Sequence, residues 1–124
     1  MLQRLKIGFW VAVSLCGNGY GQGIVQNGAN IVFSNGSHLI VKGKYEAKGD
    51  AIIRSKSVGF FNVDGDFENN GSTTIFRGNR LEVNLSGGTV NIGGNALTNF
   101  PNLSLSSKGN ISLTNDVMVG GVKG

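Results

Sequence analysis

Cysteine, proline, histidine and tryptophan each occur once in this 124-residue chain. A single thiol excludes a disulfide scaffold and a thiolate zinc site, both of which need at least two. His38 has no second histidine and no nucleophile context near it, and it reads as a surface residue rather than a catalytic one. Charge is also sparse, at 15% of residues, with seven acids against eleven Lys and Arg for a net charge of +4. That balance is too mild to argue for nucleic acid or an anionic membrane surface as a partner. Leu, Ala and Glu are too few for a helix bundle. The length leaves room for one ordinary domain.

What the chain has in excess is small and amide residues. Its 21 Gly, 15 Asn and 11 Ser make up more than a third of it, far above ordinary usage. With 40% apolar residues it still has enough to build a core, so disorder is not the reading.

The first residues have the pattern of a leader. Arg4 and Lys6 precede the apolar run Ile7–Cys16, which gives way to GNGYGQG. A basic start, a short apolar stretch and a small-residue exit are the marks of a secretory signal peptide over 1–21. The run is too short to span a membrane, which takes about twenty apolar residues. Cleavage after Gly21 satisfies the small-residue requirement, with Gly23 as the next choice. Leu15 before Cys16 is too large for a lipoprotein site. Processing removes Arg4, Lys6, Trp10 and the one cysteine, and leaves side-chain charges of +2.

From residue 22 onward the chain repeats. LIVKGKYEAKG at Leu39–Gly49 is matched 22 residues later by FNVDGDFENNG at Phe61–Gly71. Val41 falls on Val63, Gly43 on Gly65, Glu46 on Glu68 and Gly49 on Gly71, while Leu39 meets Phe61 and Tyr45 meets Phe67. A fainter echo links NIVFSN at Asn30 to NISLTN at Asn110. Apolar residues alternate with polar ones in short runs, including Ile31/Phe33, Leu81/Val83/Leu85, Val90/Ile92 and Ile111/Leu113. Gly, Asn and Ser punctuate them. This period of two with frequent turns predicts an all-β fold.

Two architectures accept such strands: a two-sheet sandwich and a β-solenoid. The repeat favours a parallel β-helix with coils of about 22 residues, each stacked about 4.8 Å from the last. Gly and Asn are then expected at corners that need left-handed backbone. Four to five coils over 22–124 give a rod of about 20–25 Å. In that register Lys42 lies over Asp64 and Lys44 over Asp66 on the outer face. These are opposite charges that bias alignment, each worth about 0–1 kcal/mol. Glu46 over Glu68 opposes the match.

The phrases NGANIVFSNGSHLIVKGKY, DGDFENNGSTTIFRG and FPNLSLSSKGNISLTNDVMVGG resemble the repetitive solenoid regions of large bacterial surface proteins. These are the filamentous-haemagglutinin-like and autotransporter-like adhesins, in the style of type IX secretion cargo. The resemblance runs from Gln26 to the C-terminus. It implies a secreted, surface-attached structural or adhesive role, in cell adhesion for instance, with no cofactor. Such proteins are long and end in a sorting or anchoring domain. None is visible before Gly124, so the chain reads as the N-terminal part of a longer protein.

Candidate chemistry is thin. Asp64, Asp66 and Glu68 alternate, so an extended strand puts all three on one side, as a Ca²⁺ site or paired catalytic acids would need. The matching coil carries Lys42 and Lys44 there instead, and the favoured reading is a solvated face with cross-coil ion pairs: no metal, no catalytic residue. A polysaccharide-active β-helix enzyme would set Asp64 and Asp66 against Arg77 or Arg80 in a groove. Phe60 and Phe76 have the opposite parity to their apolar neighbours and are the candidates for exposed contacts with a sugar ring. The preferred function is a non-catalytic stalk or spacer at the bacterial cell surface, outside the outer membrane. It would touch extracellular glycans or surface proteins, with no nucleic-acid partner and no membrane span, and could associate with itself through open coil ends. The alternatives are the β-helix enzyme and a compact β-sandwich carbohydrate-binding module.

Overall fold

The computed structural model of the chain describes Leu5–Lys6 and residues 23–121. The expected leader, with Cys16 and the Gly21 cleavage point, lies outside the described residues apart from the strand β1 (Leu5–Lys6). No helix is present among the described residues. None is therefore long and apolar enough to cross a membrane.

The chain winds in three-sided coils. The first coil comprises β2 (Ile24–Asn27), β3 (Asn30–Phe33) and β4 (Ser37–Lys42). The second is built from β5 (Tyr45–Lys48), β6 (Ile52–Ser55) and β7 (Gly59–Asp64). The third has β8 (Phe67–Asn70), β9 (Phe76–Arg77) and β10 (Leu81–Ser86). A fourth contains β11 (Val90–Gly93), β12 (Thr98–Phe100) and β13 (Leu103–Leu105), and β14 (Ile111–Leu113) and β15 (Val117–Val119) begin a fifth. Every described strand pair is parallel. Strands stack on their counterparts in neighbouring coils, so the fold is a β-solenoid of about four turns and not a sandwich.

The first side stacks β2, β5, β8, β11 and β14; the third stacks β4, β7, β10 and β13. The second side carries β1, β3, β6 and β9 in one ladder, then breaks, and resumes as a separate β12–β15 pair. Ser37 pairs with Gly59 and Gly59 with Leu81, both steps of 22 residues. Later the step varies: Phe67 meets Ile92 and Val83 meets Leu103. The echo between Asn30 and Asn110 does not reflect equivalent positions, because β3 lies on the second side and β14 on the first.

One corner explains the clearest letters of the repeat. Gly43, Gly65 and Gly87 stand one coil apart, with φ of 109°, 157° and 129°. A Cβ on Gly65 would lie 2.5 Å from the Gly43 carbonyl oxygen, so both the conformation and the close approach of adjacent coils require glycine. The expectation that Asn shares this task is corrected: every positive-φ residue among those described is Gly. Asparagine and glutamine brace corners with their amides instead. Inside the coil, Gln26 Nε2 donates to the carbonyls of Ala29 (2.6 Å) and Ile52 (3.0 Å). Asn69 repeats the arrangement, donating to Ser72 (2.9 Å) and Leu97 (3.2 Å). Each amide thus ties its own turn to the next coil and supplies two backbone carbonyls with a donor.

Alternation sends one face of each strand inward. The interior holds Leu39, Val41, Phe61, Val63, Leu81, Val83, Leu85 and Ile92, all at most 1% exposed. Full burial of such side chains contributes about 1.5–3 kcal/mol each. Aromatic rings run along the axis. Tyr45 lies 5.3 Å from Phe61 and 5.0 Å from Phe67, which lies 5.0 Å from Phe100. Tyr45 Oη donates to Gln26 Oε1 at 2.6 Å, and burial pushes its phenol above the ordinary range. At the far end the core opens: Leu105, Ile111, Leu113 and Val119 are exposed.

Candidate functional site

The acidic cluster does not assemble. Asp64 closes β7 and Phe67 opens β8, so the chain turns at Gly65–Asp66 and divides the three carboxylates between two sides. The expectation of one extended strand fails because the glycine corner falls inside the cluster. Asp66 Oδ1 accepts the Asn91 backbone N–H at 2.9 Å, and Glu68 Oε1 accepts Lys44 Nζ at 3.3 Å. Among the described residues no group of three or more His, Cys, Asp and Glu could hold a metal.

Lys42 lies directly opposite Asp64 in the β4–β7 ladder. The ion pair found among the described residues is Lys44–Glu68, so Lys44 reaches past Asp66. Glu46 lies opposite Glu68. Asn70 Nδ2 bridges these like charges, donating to Glu46 Oε2 at 2.8 Å and Glu68 Oε1 at 3.4 Å.

The two aromatic candidates separate. Phe60 is half-buried and stacks on exposed His38, centroids 4.6 Å apart and rings 29° from parallel. Phe76 is only 4% exposed and packs 5.5 Å from Phe100. It is a core residue, not a surface contact. Ile75 and Phe76 both turn inward where the chain rounds into β9, so parity counted along the sequence fails there.

Arg77 and Arg80 stand away from Asp64. Arg77 is in β9 on the second side, and Arg80 precedes β10, at the opposite end of the third side from the Asp64 corner. Six-residue strands span about 20 Å, so these groups do not line one groove.

One charged concavity was not legible in the sequence. Where the β9 and β12 ladders part, a cleft of about 640 Å³ opens on the second side. Arg54, Lys56 and Arg77 line it, with Ser55, Thr73 and Asn99 among the polar groups around them. Arg54 lies directly opposite Arg77 in the β6–β9 ladder. All seven acids lie among the described residues, and none lines this cleft. Phe76 contributes apolar surface at its base. Two buried side-chain oxygens, Ser55 Oγ and Asn99 Oδ1, have no hydrogen-bond partner, and both belong to the lining. Gly78, with φ of 90°, sits over Ser55; a Cβ there would be 2.7 Å from Ser55 Oγ. The arginine column is hidden in the sequence because its step is 23 residues. At the repeat's 22, Arg54 falls on Phe76.

Such an arrangement can bind an anion and offer hydroxyl and amide groups beside it. No family model, no curated protein and no solved structure matches the chain.

Proposed function

We propose that the chain is a secreted, non-catalytic β-solenoid segment of a bacterial cell-surface protein. It acts as a stalk or spacer that contacts extracellular glycans or surface proteins. The observation that carries this reading is the build of the rod. An apolar interior is enclosed by parallel ladders whose outward positions are mostly polar or charged, with Val25 and Ile40 among the apolar exceptions. Such a structure offers repeating surface rather than an enclosed pocket, which suits holding and presenting more than turnover. Secretion follows from the leader-like start, and the adhesin-like, type IX-style assignment from the resemblance of the Gly/Asn phrases. The enzyme reading is less favoured because Asp64 and Asp66 stand away from Arg77 and Arg80. The exposed Leu105, Ile111, Leu113 and Val119 give the last coil a surface through which rods could associate end to end.

Antibody labelling of intact cells, with and without external protease, tests the location. A glycan array probed with the purified chain tests the contact, and sedimentation tests association. Protease-sensitive surface label and glycan retention without cleavage products are expected. A wholly intracellular signal, or release of shortened oligosaccharides, overturns the proposal.

A further inference from the structure

We infer that the cleft between the β6–β9 and β12–β15 ladders binds a phosphate or sulfate ester carried on a saccharide. This rests on the surface-contact reading above and gives it a site and a ligand class.

Arg54 and Arg77 are register partners on adjacent parallel strands, about 4.8 Å apart along the rod. Like charges directly opposite one another are unfavourable. The like-charged Glu46–Glu68 column is tempered: Asn70 bridges the two carboxylates and Lys44 pairs with Glu68. On this side Lys56 adds a third cation, and no carboxylate lines the cleft. An oxyanion seated between two guanidinium forks turns that repulsion into paired, charge-assisted hydrogen bonds.

A second observation is independent of charge. Ser55 is 8% exposed, and its Oγ has no partner; Asn99 Oδ1 has none either. Buried polar atoms are nearly always paired; these two are closed to solvent beneath Gly78 and Gly121, and rotation of either side chain toward the cleft would bring it to a visiting group. A serine hydroxyl can donate to an ester oxygen, whereas an amide oxygen can only accept, as from a sugar hydroxyl. A bare inorganic anion would satisfy the arginines but leave Asn99 Oδ1 unpaired. A nucleic acid would want exposed rings for base stacking, and the one aromatic in the lining is 4% exposed.

The test is a titration of the isotope-labelled chain, followed by amide chemical shifts, with glucose 6-phosphate, glucose 6-sulfate, glucose and inorganic phosphate. Both esters should move the amides of Ser55, Gly78 and Asn99, and the tighter of the two identifies the ester. Glucose should not move them, and inorganic phosphate should bind more weakly than the esters. Arg77→Ala and Arg54→Ala should each weaken ester binding about tenfold or more without lowering Tm, since each removes one of two opposed like charges. Arg77→Lys should recover only part of the binding, and the remote Lys42→Ala and Lys108→Ala should change nothing. Wild-type affinity in both arginine variants overturns the inference, as does equal response to glucose or to inorganic phosphate. So does displacement of the ester by a single-stranded oligodeoxynucleotide at lower concentration. Ester binding by a chain that never reaches the cell surface would sink the stalk reading and leave the cleft standing. A surface-exposed chain indifferent to Arg54 and Arg77 would do the reverse.

Discussion

Tyr45 is the residue on which burial and hydrogen bonding meet most closely. Its hydroxyl is enclosed by the first two coils and satisfied by Gln26 Oε1 at 2.6 Å. Tyr45→Phe keeps the ring contacts but leaves that buried oxygen unpaired, a loss of about 1–3 kcal/mol. Urea unfolding at pH 7 should show it. The pH dependence follows from the same burial, which raises the phenol from its ordinary 10.0. The folded chain holds the proton where the unfolded chain releases it. This share of stability is therefore complete below pH 10 and lost as pH rises beyond it. The gap between wild type and Tyr45→Phe should narrow above pH 10; a constant gap would contradict the assignment. At this scale Tyr45 over Phe67 was readable, because two rings at equal positions of a repeat have one natural place to stack. Phe76 was not, since the turn before it puts two successive side chains inside.

At the scale of the strand and its corners, what decides the coil is how each turn is closed. Asn69 is fully buried, donates to Ser72 and Leu97, and accepts the Gly71 N–H at 3.0 Å. Replacing it with alanine leaves groups unpaired in two coils at once, and should cost at least about 2 kcal/mol. Asn70→Ala, one residue on and only half-buried, should cost less than about 1 kcal/mol. Equal denaturation midpoints for the two variants would show that the inner amide does not hold the corner. The first three coils could be recognised in the sequence because their steps stay near 22 and one corner repeats as Gly43, Gly65 and Gly87. The fourth was obscured when the step from Phe67 lengthened to Ile92. The same irregularity hid the cleft: a single extra residue between Arg54 and Arg77 removes them from any alignment at 22, although the ladder brings them side by side.

Across the whole molecule, charge and cohesion are distributed differently. The cations Arg54, Lys56 and Arg77 gather at one cleft, while most of the acids lie on or beside the other two sides. Cohesion is local everywhere, because each strand pairs with its counterparts in the adjacent coils. The backbone hydrogen bonds between coils run along the rod axis, and this fixes how the protein answers a pulling force. Tension on the two chain ends loads those bonds nearly end-on, so a terminal coil peels away before its neighbour is strained. Each coil freed would pay out about 75 Å of extended chain. Stretching single molecules in an optical trap should give a train of small, evenly spaced lengthenings instead of one abrupt rupture. A rod that yields in this way lets out slack one turn at a time, so the force it transmits between its two ends stays below that of a single cooperative rupture.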